Sequence, residues 1–159
     1  HAFSIGTAVV APRSRGRLSL RSADPLAAPA IDLGLLTDHE GIDRKVLLAG
    51  ARLARRIAAT APLAAENAGE LSPGANTQSD EALLAHLYAD LQTVYHPSST
   101  CRMGTDARSV VDPQLRVHGV RGLWVADASV MPSVPRGHPN AVVAMIAQRA
   151  AGWIDGAGA

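Results

Sequence analysis

Apolar and polar positions along this chain change their rhythm three times. Ser4 to Ala11 and Gly16 to Ser22 both read as strands, and the second alternates: Leu18 and Leu20 fall on one face, Arg17, Ser19 and Arg21 on the other. Pro12-Arg13-Ser14-Arg15-Gly16 supplies turn chemistry between them and predicts a hairpin. Pro25 and Pro29 then hold an extended connection leading to Ile31-Asp32-Leu33. From Thr37 the period becomes helical. Thr37-Asp38-His39-Glu40 has the pattern of a capping box, and Ile42, Val46, Ala49, Leu53 and Ile57 lie on one stripe of a helix that ends near Pro62. The segment Glu66 to Gln78 contains Gly69, Pro73 and Gly74 and reads as a loop. Ser79 is the expected N-cap of a second helix, whose Leu83, Leu84, Leu87 and Leu91 form a core face.

Beyond Thr93 periodicity fades. His96 to Asp112 is mostly loop, Pro113 to Gly122 reads as short extended pieces with turns, and Leu123 to Ala126 as a buried strand. Met131 to Asn140, with three prolines and a glycine, predicts an irregular loop. A third helix follows over Ala141 to Ile154, with Val142, Met145, Ile146, Arg149, Ala150 and Trp153 at helical spacing. The fold class is therefore α+β: early antiparallel strands, two central helices and a C-terminal strand–loop–helix. That last piece has the form of the end of an α/β unit, yet no preceding βαβ pattern occurs here to receive it.

Composition narrows the function classes. The 159 residues suit one ordinary domain with a real core. Apolar residues make up 47% but aromatics only 3%, so that core rests on Leu, Val and Ile. The formal net charge is +1 and the charges are dispersed, so no basic patch argues for nucleic acid. Arg52, Arg55 and Arg56 fit the solvated face of their helix. Cys101 is the single cysteine, which excludes an internal disulfide and any multi-cysteine zinc site. It is compatible with a reducing compartment. With no signal-peptide pattern, the expected location is cytoplasmic. No stretch approaches the roughly 18 apolar residues of a membrane span. The chain begins at His1 without an initiating Met, which predicts either processing or a piece of something longer.

Two histidines stand in settings suited to chemistry. His96 precedes Pro97, which steers it away from helix and holds the imidazole on an extended loop, a placement suited to proton transfer near neutral pH. A hydrogen-bonded structural role is the alternative. His138, in Arg136-Gly137-His138-Pro139-Asn140, lies just ahead of the third helix, where free amides and the macrodipole favour negative charge. Asn140 either caps that helix or offers its amide to a ligand. Asp127, at the end of the predicted strand, either binds a ligand hydroxyl or caps the turn at Ala128-Ser129. There is no Gly-x-Ser-x-Gly elbow and no Walker loop. No His-x-x-x-His pair or His/carboxylate cluster supports a metal site. His39 and His86 read as surface residues and His118 as a loop or strand-end residue. Met103 and Met145 read as packing residues.

These residues closely resemble the C-terminal part of the glucose–methanol–choline (GMC) family of flavin-dependent oxidoreductases. Pro12-Arg13-Ser14-Arg15-Gly16-Arg17-Leu18-Ser19-Leu20-Arg21-Ser22-Ala23-Asp24-Pro25 is similar to that family's substrate-domain hairpin. His96 to Gly104, Val110 to Val120, Val125 to Pro132 and the helix from Ala141 follow in the family's order, so the resemblance covers essentially the whole chain.

By that resemblance His96 matches the active-site histidine that takes the alcohol proton, and His138 the second active-site position, held by His or Asn in different members. Asp127, Ala128, His138, Pro139 and Asn140 match residues lining the FAD, with the last helix pointing at the flavin pyrimidine edge. The resemblance implies an FAD-dependent alcohol oxidase or dehydrogenase, choline dehydrogenase-like, acting on a small-molecule alcohol. The alternatives are a hydroxynitrile lyase of the same fold and a flavin-free interaction module. Residues 1–118 would belong to the substrate-binding domain, and 119–159 would pack on an FAD-binding half on the same or another chain. Two departures stand out. Ser99 replaces the usual glycine after His-Pro-x, and the Gly-x-Gly-x-x-Gly fingerprint of the family's N-terminal half is absent from this sequence. The chain is therefore expected to be inactive alone.

Overall fold

A computed structural model describes residues 2–157. In chain order it contains β1 (Arg17–Ser19), β2 (Ala30–Asp32), α1 (Ile42–Ala58), α2 (Leu63–Glu66), α3 (Asp80–Ala89), a 3-10 turn (Ala128–Val130) and α4 (Asn140–Ala157). The architecture is α+β. Two compact units are formed, one from the chain up to Gly16 with Leu33–Val94, the other from Arg17–Asp32 with the chain from Tyr95 onward.

In the first unit Ser4 to Ala11 is extended but is not a strand. Ile5, Thr7 and Val9 are half-buried and their neighbours exposed, which is the expected alternation, yet no ladder partner occurs among the described residues. Thr7 instead lies against α1 at Gly50, where an added Cβ would stand 3.1 Å from the Thr7 Cβ. The predicted hairpin at Pro12–Gly16 does not form. Its turn wraps around Asp43 of α1, whose carboxylate accepts from the Arg13 amide (2.9 and 3.1 Å), the Ser14 amide (2.8 Å) and the Ser14 hydroxyl (2.5 Å).

The start of α1 also differs from the capping-box expectation. Asp38, not Thr37, supplies the acceptors, taking hydrogen bonds from the amides of Ile42 (2.6 Å) and Asp43 (3.2 Å). The Thr37 hydroxyl donates to the Gly34 carbonyl, and Glu40 pairs with Arg13. The expected apolar stripe is turned outward: Val46, Ala49, Leu53 and Ile57 are exposed, whereas Asp43 and Leu47 are buried and Gly50, Ala51 and Ala54 partly so. Arg52 and Arg55 are not merely solvated; they pair with Asp80 and, through two bonds of 2.8 and 2.9 Å, with Glu70. In α3 the expectation holds. The Ser79 hydroxyl accepts from the Ala82 amide at 3.1 Å, Leu83 is fully buried, and Leu84, Leu87 and Leu91 are half-buried beside it.

In the second unit β1 pairs antiparallel with β2, Leu18 opposite Ile31. Its core is the cluster Val111, Leu115, Val130, Met131, Ile146 and Ala150, with Met103, Trp124, Val143 and Trp153 packed against it. Asp112 closes the turn that delivers Leu115. Its carboxylate accepts from the amides of Gln114 (2.8 Å) and Arg116 (3.0 Å), which leaves Leu115 buried at φ 65°. Leu123 to Ala126 is not a buried strand: only Trp124 bridges, to Arg116, and Leu123 is exposed. One side of α4 (Val143, Ile146, Ala150, Trp153) meets the core, while Val142, Met145 and Ile154 face solvent.

Candidate functional site

The segment from His96 to Gly104 is held by main chain. The amides of Ser99, Cys101 and Met103 donate to the carbonyls of Ala128, Ser129 and Val130 at 3.3, 2.9 and 2.8 Å, so the loop lies along the 3-10 turn above the core. Tyr95 and Ser99, either side of His96, have φ of 60° and 73°. Both lie in the left-handed region that favours glycine, which explains why glycine is the residue expected by resemblance at 99. Ser99 tolerates the conformation without being one.

Across from this loop, α4 starts at Asn140, and the Val143 amide donates to the Pro139 carbonyl at 2.8 Å. This brings His138 to His96: the ring centroids are 5.3 Å apart and the planes meet at 76°, an edge-to-face pair. His96 is half-buried, His138 exposed and Pro139 buried. Both imidazoles open on a pocket of about 550 Å³ that Pro139, Asn140, Val143 and Ala144 also line. Of the sequence-derived candidates, His96, His138, Pro139 and Asn140 thus meet in one place. Asp127 and Ala128 stand outside that lining. Asp127 serves the cap alternative, its Oδ1 accepting from the Ser129 amide (2.8 Å) and hydroxyl (2.5 Å). Val143 and Ala144 were not foreseen; the signal was their place on the first turn of a helix already aimed at the site.

His118 and His86 are tied into local structure, and His39 is exposed as expected. His118 Nε2 lies 3.2 Å from both the Gly104 carbonyl and the Ser109 hydroxyl, and that hydroxyl donates to the Asp106 carbonyl at 2.6 Å. A carbonyl only accepts, so Nε2 carries the hydrogen and His118 does not act as a base on Ser109. His86 is half-buried on α3 and lies 3.3 Å from both Ser72 and Asp90. Beside His118, the Arg102 guanidinium holds the Asp106 carboxyl down to about 2, and the Arg108 amide adds to this. Among the described residues no cluster of metal-ligating side chains occurs, and no helix is long and apolar enough to cross a membrane.

The fold and this ordered set of motifs define one class of protein, the C-terminal portion of an oxidoreductase. Residues 12–147 match the family model of the GMC oxidoreductases. The chain belongs to the GMC oxidoreductase family. It is 50% identical over 155 residues to an uncharacterized GMC-type oxidoreductase of Mycobacterium tuberculosis, covering 97% of this chain and 29% of that one. It is 47% identical over 157 residues to the choline oxidase of Arthrobacter globiformis, covering 98% and 29%. Among solved structures, an FAD-dependent oxidoreductase from Chaetomium thermophilum aligns with a TM-score of 0.82 at 35% identity, over 91% of this chain and 25% of that one. The chain thus spans under a third of the length of these curated relatives.

Proposed function

We propose that this chain supplies the substrate-facing wall of an FAD-dependent oxidoreductase acting on the CH–OH group of an alcohol. His96 accepts the hydroxyl proton and His138 holds the same oxygen. The observation that carries this reading is the edge-to-face pair of His96 and His138, 5.3 Å apart on one pocket at the mouth of α4. Choline, for which the Arthrobacter relative is named, carries a primary alcohol, which supports the substrate class.

The residues present fit a flavin edge. The first bond from an α4 amide to a carbonyl of the preceding loop runs from Val143 to Pro139, so the amides of Asn140, Ala141 and Val142 come before it and point out of the helix end. With the macrodipole behind them they favour negative charge, which suits the N1 and O2 side of a reduced flavin ring. His138, Pro139 and Asn140 would line FAD from this side, as Asp127 and Ala128 would by the family resemblance. When bound, FAD supplies the acceptor for the hydride that leaves the alcohol carbon. The chain's own residues orient the hydroxyl and take its proton. Residues 119–159 would meet the FAD-binding half through Leu123 and the outward side of α4, where Val142, Met145 and Ile154 are exposed. Without that half the chain is expected to be inactive.

In the complete enzyme His96→Ala should slow reduction of the flavin by an alcohol about 10²–10⁴-fold, the range for loss of a general base. Stopped-flow absorbance measures this directly, and an unchanged rate removes the role. His138→Asn should be milder, since either residue serves at that position in the family this chain resembles. Cyanide release without flavin bleaching would overturn the redox reading.

A further inference from the structure

We infer that the main-chain carbonyl of Tyr95 sets the tautomer of His96 and thereby makes Nε2 the atom that receives the proton. This rests on the proposed role of His96. Nδ1 lies 3.1 Å from the Tyr95 carbonyl oxygen. A carbonyl has no hydrogen to give, so the hydrogen between them belongs to Nδ1. A neutral imidazole carries only one such hydrogen, which leaves the lone pair on Nε2.

The contact depends on an uncommon backbone conformation. Tyr95 sits at φ 60°, in the left-handed region that penalises a residue with a Cβ. On the other side, Pro97 restricts His96 to extended geometry. The peptide unit joining Tyr95 to His96 is thus fixed from both ends, with its oxygen turned onto the ring that follows. If Tyr95 relaxed to the β region that peptide would rotate and Nδ1 would lose its partner. Ser99, the second left-handed residue, and the hydrogen bonds its amide and that of Cys101 donate to the Ala128 and Ser129 carbonyls anchor the far end of the same loop.

The chemical consequence is a directed base. As the alcohol O–H bond breaks, its electron pair stays on oxygen and the proton binds Nε2. The ring becomes an imidazolium whose Nδ1–H still points at the Tyr95 oxygen, and that dipole stabilises the new positive charge. Tyr95 is a positioning residue here through its backbone alone, and its side chain is 82% exposed.

The test is nitrogen-15 NMR of the histidine-labelled complete enzyme, read at alkaline pH. His96 should carry its hydrogen on Nδ1 in the natural sequence. Tyr95→Gly, which adopts positive φ without strain, should keep that tautomer. Tyr95→Val, whose branched Cβ resists positive φ, should shift His96 toward the mixture of an unconstrained histidine side chain, dominated by the Nε2–H form. An Nε2–H signal for His96 in the unsubstituted chain overturns the inference, even if the valine variant fails to fold. Retention of the Nδ1–H form in a folded Tyr95→Val variant overturns it as well. The outcome separates from the enzymatic reading: a His96→Ala enzyme with undiminished flavin reduction would remove the catalytic role and leave the tautomer assignment standing.

Discussion

Asp43 is the charged side chain that the described fold takes furthest out of water, at 1% exposure. Burial pushes its carboxyl up, but the Arg13 amide, the Ser14 hydroxyl and amide and the charge of Arg15 together outweigh that and hold it below 3.8. A carboxylate depressed in the folded state stabilises the fold above its unfolded pKa and loses that contribution as pH falls through the folded one. Asp43→Asn should therefore cost about 2 kcal/mol near neutral pH, the scale of hydrogen bonds to a buried charge. Urea unfolding at descending pH should show the gap between variant and parent closing as pH falls through 3.8 and below. A gap independent of pH would mean that packing, not charge, is what Asp43 contributes. The sequence marked Pro12 to Gly16 as a turn and was silent on its partner, because the acceptor lies about thirty residues away, on α1. Asp112 was likewise read only as part of a motif, although its carboxylate is what lets Leu115 adopt positive φ inside the core.

At the level of elements, helices were legible and their faces only partly so. Ser79 and the leucines of α3 behave as their spacing predicts, because a cap and a core stripe are local properties. On α1 the same periodicity pointed to the wrong side: Asp43 and Leu47 are the buried positions, and Gly50 lies against Thr7. Helix α4 is apolar on more than one side, so spacing grouped Met145 with Ile146 although only Ile146 is buried, at 7% against 47%. Ile146→Ala should accordingly lower stability by about 2–4 kcal/mol, whereas Met145→Lys should stay within about 0.5 kcal/mol in this chain. Thermal unfolding of the two variants measures the difference, and equal losses would contradict the packing described for α4. Strands were the least legible elements. Ser4–Ala11 and Leu123–Ala126 have strand-like patterns, but a strand needs a neighbour, and none pairs with the first of them among the described residues.

For the molecule as a whole, the order of motifs carried the most information. His96 and His138 are 42 positions apart in the sequence and meet edge to face, which no periodicity within either segment implies. Their meeting depends on the 3-10 turn at Ala128–Val130 lying beneath one and on α4 starting beside the other. Family resemblance supplied that pairing because it encodes tertiary contact that local pattern cannot. It did not supply the Tyr95 backbone or the edge-to-face angle, which belong to three-dimensional geometry.

The way the His96 loop is fastened has a consequence for how such a site can diversify. Its ties to Ala128, Ser129 and Val130 are made by the amides of alternate residues, 99, 101 and 103, and none of the three uses a side chain. Any residue with an N–H and a tolerable φ can make them, so side chains along this stretch can be exchanged while the imidazole keeps its place. Proline is the replacement that those three positions forbid. A lineage of such proteins is thus free to vary the side chains of this loop around a fixed imidazole, and a library randomised at 98 and 100 would leave those three ties in place.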